Sequence, residues 1–334
     1  MTFLSDKALE RLRSSEAADF SGTRYKLREF IARGGMGVVY AAEDKRLSRR
    51  VALKVLDTPD ANGELTGRLM REARILAQLE HPGIVPVHDV GVLPGGRVFY
   101  TMKFVEGLRL DRYIAQVESQ PQRLRLFLRV CDAVAFAHAR GVLHRDLKPT
   151  NIMVGSFGEV LVMDWGLAKI LGKDSLSGGE TLVTSGQLAN RESDSTQCTA
   201  ITGHGTVMGT PGYMSPEQAR GETEQIDGRS DIFSLGALLK FIAIGGTQRK
   251  SSALPRPLLA ICAKATAESP SERYSQVSEL AADVSLYLDG LPVSAYAENF
   301  FERFRRFYKR HEVAILLIAA YLVMRALALL SFHR

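Results

Sequence analysis

The sequence predicts an α+β chain: a small β-rich lobe first, a helical lobe after it, and one more hydrophobic helix at the C-terminal end. Three observations carry that prediction. Between residues 25 and 104 the apolar residues fall in β-branched runs, broken by one stretch of helical spacing. After Glu106-Gly107 they recur at helical spacing over long segments. Residues 313–330 are apolar throughout, with Arg325 as their one charge.

In chain order, residues 1–24 are expected to be an extension in which Leu4, Leu9 and Leu12 suit a short amphipathic helix. Asp6, Lys7, Glu10, Arg11 and Arg13 interrupt any apolar run there, so no signal peptide is expected. Val38, Val39 and Tyr40, then 51–56, read as strands joined by a polar turn at 44–50. Residues 68–79 place Leu69, Ala73, Leu76 and Leu79 on one helical face, and His81-Pro82-Gly83 stops that helix. Helices follow at 124–140, 230–244, 254–267 and 275–288. Residues 171–205 turn to Ser, Thr, Gly, Asn and Gln, too polar to bury a core, and are expected to be a mobile insertion. No internal repeat is visible.

At 334 residues, 46% of them hydrophobic, the chain has material for two lobes. Its net charge of +6 is modest and gathers at Arg303, Arg305, Arg306, Lys309 and Arg310, which points to a local surface and away from nucleic acid. Cys131, Cys198 and Cys262 are odd in number and lack metal spacing, as expected of a reducing compartment, with Cys131 and Cys262 as small core residues.

The chemistry is concentrated in His144-Arg145-Asp146-Leu147-Lys148-Pro149-Thr150-Asn151 and in Asp164-Trp165-Gly166, which bring a candidate base, a lysine and two oxygen ligands into one span. Ahead of them come the loop Ile31-Ala32-Arg33-Gly34-Gly35-Met36-Gly37-Val38-Val39, then Val51-Ala52-Leu53-Lys54, then Glu72; behind them comes Gly209-Thr210-Pro211-Gly212-Tyr213-Met214-Ser215-Pro216-Glu217. A glycine turn between two strands, or a lysine and a glutamate on neighbouring elements, has an ordinary structural explanation when met alone. Met together and in this order, the motifs resemble the bacterial branch of the Ser/Thr protein kinase family over about residues 25–288.

That resemblance implies a two-lobe protein kinase-like fold with Mg²⁺ and ATP as cofactors and Ser/Thr hydroxyls of protein substrates as acceptors. Asp146 would be the base or hydroxyl-orienting carboxylate, with Lys148 neutralising the transferring phosphoryl group and Asn151 and Asp164 holding Mg²⁺. Lys54 would contact the α- and β-phosphates and pair with Glu72. Residues 31–39 would cover the phosphates, where glycines let backbone N–H groups approach. Met102 would guard the back of the adenine pocket, the backbone of Lys103 and Val105 would meet the base, and Val39, Ala52 and Met153 would sandwich it. Glu217 is expected to pair with Arg273, Asp231 to hold the catalytic-loop backbone, and His144 and Trp165 to pack. Arg145 would receive a phosphorylated residue among Thr199, Thr202 and Thr206, through autophosphorylation in trans.

The chain departs from the pattern in three places. Ala32 stands where the first glycine is usual, Trp165 where phenylalanine is usual, and 245–257 is shorter than the connection that carries a substrate-docking helix in related kinases. The first and last keep a second expectation open, a membrane-attached pseudokinase that binds nucleotide or a partner. A small-molecule phosphotransferase is disfavoured by the 209–217 acceptor platform. At the C-terminus, 289–312 reads as a basic-aromatic juxtamembrane segment, 313–330 as a transmembrane helix and 331–334 as a short tail. An interfacial helix and a helix docked on the protein compete with the span. A span would make this a single-pass protein of the cell membrane with its kinase domain cytoplasmic.

Overall fold

The computed structural model describes residues 20–34, 37–56, 63–170, 212–222, 226–246, 254–299, 303 and 312–332. The N-terminal lobe is one antiparallel sheet of β1 (Tyr25–Arg33), β2 (Val38–Asp44), β3 (Arg49–Val55), β4 (Val87–Val92) and β5 (Val98–Lys103), in the order β1-β2-β3-β5-β4. Helix α1 (Glu64–Gln78) lies against it. As the central strand, β3 is covered on both faces, which explains its unbroken run of buried residues from Val51 to Val55. Val51, Leu53 and Val55 face a small cluster with Phe20, Tyr25, Leu93 and Phe99. Ala52 and Lys54 project from the opposite face, toward α1 and the second lobe. Phe20 is buried edge-on to Phe99 at 5.5 Å, so the expected 1–24 extension gives way to folded chain by residue 20.

Beyond the sheet the chain is mainly helical: α2 (Leu110–Tyr113), α3 (Gln120–Ala139), α4 (Pro216–Ala219), α5 (Gly228–Ile244), α6 (Arg256–Ala265) and α7 (Val277–Leu288). Asp227 caps α5 by accepting from Arg229 N, and Gly245 at φ 91° ends it, a left-handed position that glycine fills without strain. At Gly236 a Cβ would lie 2.6 Å from that of Ala265, so glycine is what lets α5 and α6 pack closely. The second lobe is helical as expected, and it also carries short strands. Short strands β6 (Gly107–Arg109), β8 (Ile152–Gly155) and β9 (Val160–Val162) form a three-stranded sheet, and β7 (Val142–Leu143) pairs with β10 (Lys169–Ile170). Two to four residues are too few for alternation to declare a strand.

The chain stays bound to the lobe just after α7. Buried Asp283 accepts from Ser294 N and Oγ, Ala295 N and the Tyr274 hydroxyl, and Val293 is buried beside it. Residues 291–296 are therefore part of the lobe. The last element, α8 (Glu312–Phe332), includes the predicted 313–330. Its Leu316, Leu317, Ile318, Leu322 and Val323 are exposed. Among the described residues, however, no helix is long and apolar enough to cross a membrane. The expected transmembrane helix is thus not supported.

Cys131 and Cys262 are buried free thiols, as expected. Burial raises the Cys131 pKa well above its ordinary range and pushes that of Cys262 up to about 12, so both are inert core residues. Cys198, the 171–205 insertion, Leu4, Leu9 and Leu12 lie outside the described residues, as do Arg305, Arg306, Lys309 and Arg310.

Candidate active site

Antiparallel pairing makes Lys54 of β3 and Tyr100 of β5 direct cross-strand neighbours, so their side chains leave the sheet on the same face. Glu72, on the face of α1 that also buries Leu69, Ala73 and Leu76, meets them there. Lys54 Nζ lies 2.8 Å from each oxygen of the Glu72 carboxylate and 3.4 Å from Asp164 Oδ1. Lys54 is 8% exposed and Glu72 1%, so the explanation of two solvated surface charges fails. Burial opposes the charge on Lys54, but Tyr100, Glu72 and Asp164 outweigh it and hold the ammonium pKa well above its usual value. The Lys54 charge in turn holds the Asp164 carboxyl below the ordinary carboxylate range.

The loop between β7 and β8 carries the other half. Asn151 donates its amide nitrogen to both the backbone and the side chain of Asp146, at 2.9 and 3.0 Å, and Lys148 Nζ sits 2.7 Å from Asp146 Oδ2. Arg145 holds a left-handed backbone at φ 69°, a conformation that costs about 1–3 kcal/mol outside glycine. It persists because both backbone groups are gripped: Arg145 N donates to Asp231 Oδ1, and Gln218 donates to Arg145 O. Asp231 also accepts from His144 N and from the His138 ring at 2.8 Å. Burial would raise the Asp231 pKa, but these donors keep it below the usual range. The predicted role of Asp231 is therefore what is found. His144 does more than pack on Trp165: Asp146 N donates to its Nδ1, and its Nε2 meets Met163 O.

Asp164 is likewise left-handed, at φ 56°, and Trp165 behind it is completely buried with Nε1 donating to Val162 O. Indole in place of phenyl is thus accommodated as core. Backbone pairing of Met163 N with Asn151 O ties the loop ending in Asp164 to Asn151. Asn151 and Asp164 suit a divalent cation. The Asn151 amide nitrogen is committed to Asp146, which turns the oxygen elsewhere, and the Asp164 side chain is half exposed with its carboxyl kept ionised.

Above this pair, Ala32 pairs with Val39 inside β1, and positive φ among described non-glycine residues is confined to Ser48, Arg145 and Asp164. The alanine is therefore tolerated without backbone strain. Gly37 is required as glycine, because a Cβ would lie 2.3 Å from Val55 O. Gly34, Arg33, Ile31 and Val38 frame the same turn, whereas Gly35 and Met36 lie outside the described residues. Ala52 faces Met102 across β3 and β5, with Val39 beside them and Met153 on β8. Lys103 N already donates to Pro86 O, so a base would have to meet the Lys103 carbonyl and the backbone of Val105.

Glu217 and Arg273 form the predicted buried pair, two-pronged at 2.8 and 2.9 Å, with Ser230 donating to Glu217 as well. Ser215 and Gln218 cap α4, and Ser234 holds Tyr213 O, so the described part of the acceptor platform is tied to α5 and the catalytic loop. Gly209, Thr210, Pro211, Thr199, Thr202 and Thr206 lie outside the described residues. Between α1 and the Asp164 loop is a cavity of about 180 Å³ lined by Arg68, Arg71, Arg145 and Trp165. Tyr100, His138 and Gln218 are contributors that the motifs did not reveal. Each acts over a long sequence separation, and the signal that finds them is strand register or helix packing.

A family model described as the protein kinase domain matches residues 25–284. The serine/threonine-protein kinase PknD of Chlamydia trachomatis is 35% identical over 305 residues, covering 80% of this chain and 32% of its own length. PknD of Protochlamydia amoebophila is 33% identical over 309 residues, covering 80% and 30%. The crystal structure of the Mycobacterium tuberculosis PknI kinase domain superposes with a TM-score of 0.53 at 25% identity, covering 79% of this chain and 95% of that one. The chain thus belongs to the protein kinase family, in its bacterial serine/threonine branch, a class of phosphotransferases. It spans about a third of the length of the curated relatives it matches.

Proposed function

We propose that the chain is an ATP-dependent serine/threonine protein kinase that uses Mg²⁺ and phosphorylates protein hydroxyls, its own included. The observation that carries the proposal is the Lys54–Glu72 pair formed within reach of Asp164, beside Asn151 bonded to Asp146. When bound, Mg-ATP supplies the γ-phosphoryl group and an ion that offsets phosphate charge. Lys54 steadies the α- and β-phosphates while Glu72 fixes its direction. Asp146, held by Asn151 and Lys148, would orient the acceptor hydroxyl and receive its proton as the new P–O bond forms, while the bond from the γ-phosphorus to the β,γ-bridging oxygen breaks and ADP leaves. Lys148 offsets charge on the group in transit. The test is label transfer from Mg-[γ-³²P]ATP to the chain and to a generic basic protein, with Asp146→Ala as control. Label in the wild type alone supports the proposal; nucleotide binding with no transfer by the wild type contradicts it. No observation favours the pseudokinase alternative.

Autophosphorylation between 175 and 210 is part of this proposal, supported by three arginines, Arg68, Arg71 and Arg145, converging on one cavity that suits a phosphate. Phosphopeptide mapping after incubation with ATP should find modified threonine there, and its absence would falsify this point. We also propose attachment to the cell membrane through 313–330 with the kinase lobes cytoplasmic, on the strength of the exposed apolar face of α8 and the basic residues before it. Failure of the chain to bind anionic lipid vesicles would refute this attachment.

A further inference from the structure

Glu72 is grasped from two strands at once. Lys54 of β3 bonds both carboxylate oxygens, and the Tyr100 hydroxyl of β5 donates to Oε1 at 2.8 Å. All three side chains are buried, with Tyr100 at 2% exposure, so this hydroxyl has no water to turn to and the carboxylate has few donors. The Tyr100 ring also lies 5.9 Å from Lys54 Nζ. Lys54 itself divides its N–H groups between Glu72 and Asp164, and incoming phosphates would compete for them. The Tyr100 bond carries no such competition. Among the described residues it is the one polar tether of Glu72 that the nucleotide does not contest.

We infer that Tyr100 is a positioning residue for the nucleotide site: its hydroxyl keeps Glu72, and with it α1, docked on the sheet so that Lys54 stays aimed at the phosphates. This rests on the nucleotide reading above. The consequence is a population effect. Without the hydroxyl, a smaller fraction of free enzyme has α1 docked, and apparent nucleotide affinity falls by that fraction. Saturating nucleotide restores the docked state, so turnover changes little.

The test uses the full chain as wild type, Tyr100→Phe, Glu72→Ala and the double variant. Measured are KM for ATP, kcat, and Kd for a non-transferable Mg-ATP analogue by calorimetry. For Tyr100→Phe we expect KM and Kd to rise roughly tenfold, the scale of one hydrogen bond to a charged group, with kcat within about twofold. In the Glu72→Ala background the same substitution should shift Kd by less than about twofold, because its effect runs through Glu72. KM unchanged in Tyr100→Phe, or an equal shift with and without Glu72, overturns the inference. A role limited to packing would lower thermal stability with no KM shift and would count against it too. Should Tyr100→Phe fold poorly by circular dichroism, Tyr100→Leu, which also lacks the hydroxyl, is judged by the same KM and Kd. A wild type silent with Mg-ATP defeats the nucleotide reading; an active wild type matched by Tyr100→Phe defeats only this inference.

Discussion

Lys54 shows how a single residue acquires a function from its surroundings. A lysine among Val51, Ala52, Leu53 and Val55 would be an expensive buried charge if two carboxylates and a tyrosine did not surround it. Lys54→Met removes that charge while keeping the volume, and should lower phosphoryl transfer by about 100-fold or more with the lobe still folded, read by label transfer and circular dichroism. The motif residues were legible in the sequence because each needs a particular functional group at a fixed offset: Asn151 lies five positions from Asp146 and bonds it. Tyr100 was not legible. It looks like one more aromatic residue in a buried strand until register places it opposite Lys54.

Among the elements, the longer helices were recovered within a few residues because their apolar faces repeat over several turns. The strands β6 to β10 were not, since two to four residues carry no period. The ion pair that joins α4 to the segment before α7 was legible as two motif residues, though not its strength. Burial would raise the Glu217 pKa, but Arg273 and Ser230 bring it from the ordinary 4.5 down to about 2. A depressed carboxylate stabilises the fold above its unfolded pKa. That stabilisation should therefore fade as pH falls from 4.5 toward 2, and acid melts should show a loss in this window that Glu217→Gln lacks. At neutral pH, Glu217→Ala strands Arg273 and should cost about 3–5 kcal/mol in denaturant titration. A change under about 1 kcal/mol would show the pair to be dispensable.

At the scale of the molecule, the two lobes meet where β5 leads through Phe104 and Val105 into β6, and the site lies between them. The segregation of strands before helices was legible from the spacing of apolar residues, whereas the binding of 294–295 to the lobe was not. Asp283 gathers the chain at 294–295 through bonds to backbone and hydroxyl groups, and such bonds leave no hydrophobic pattern. Asp283→Ala should therefore expose the 289–299 segment to proteolysis and lower stability by about 1–3 kcal/mol, while KM for ATP stays within about twofold. Cleavage no faster than in the wild type would show that Asp283 does not hold that segment.

In the proposed function Lys54, Asn151 and Asp164 enclose one metal-chelated triphosphate. Calorimetry of ATP binding, with Mg²⁺ and with a chelator, in the wild type and in Asp164→Asn, tests it most directly. Mg²⁺ should tighten binding to the wild type by about tenfold or more, and Asp164→Asn should lose most of that gain. Equal affinity with and without Mg²⁺, or an Asp164→Asn variant as Mg²⁺-responsive as the wild type, would contradict it.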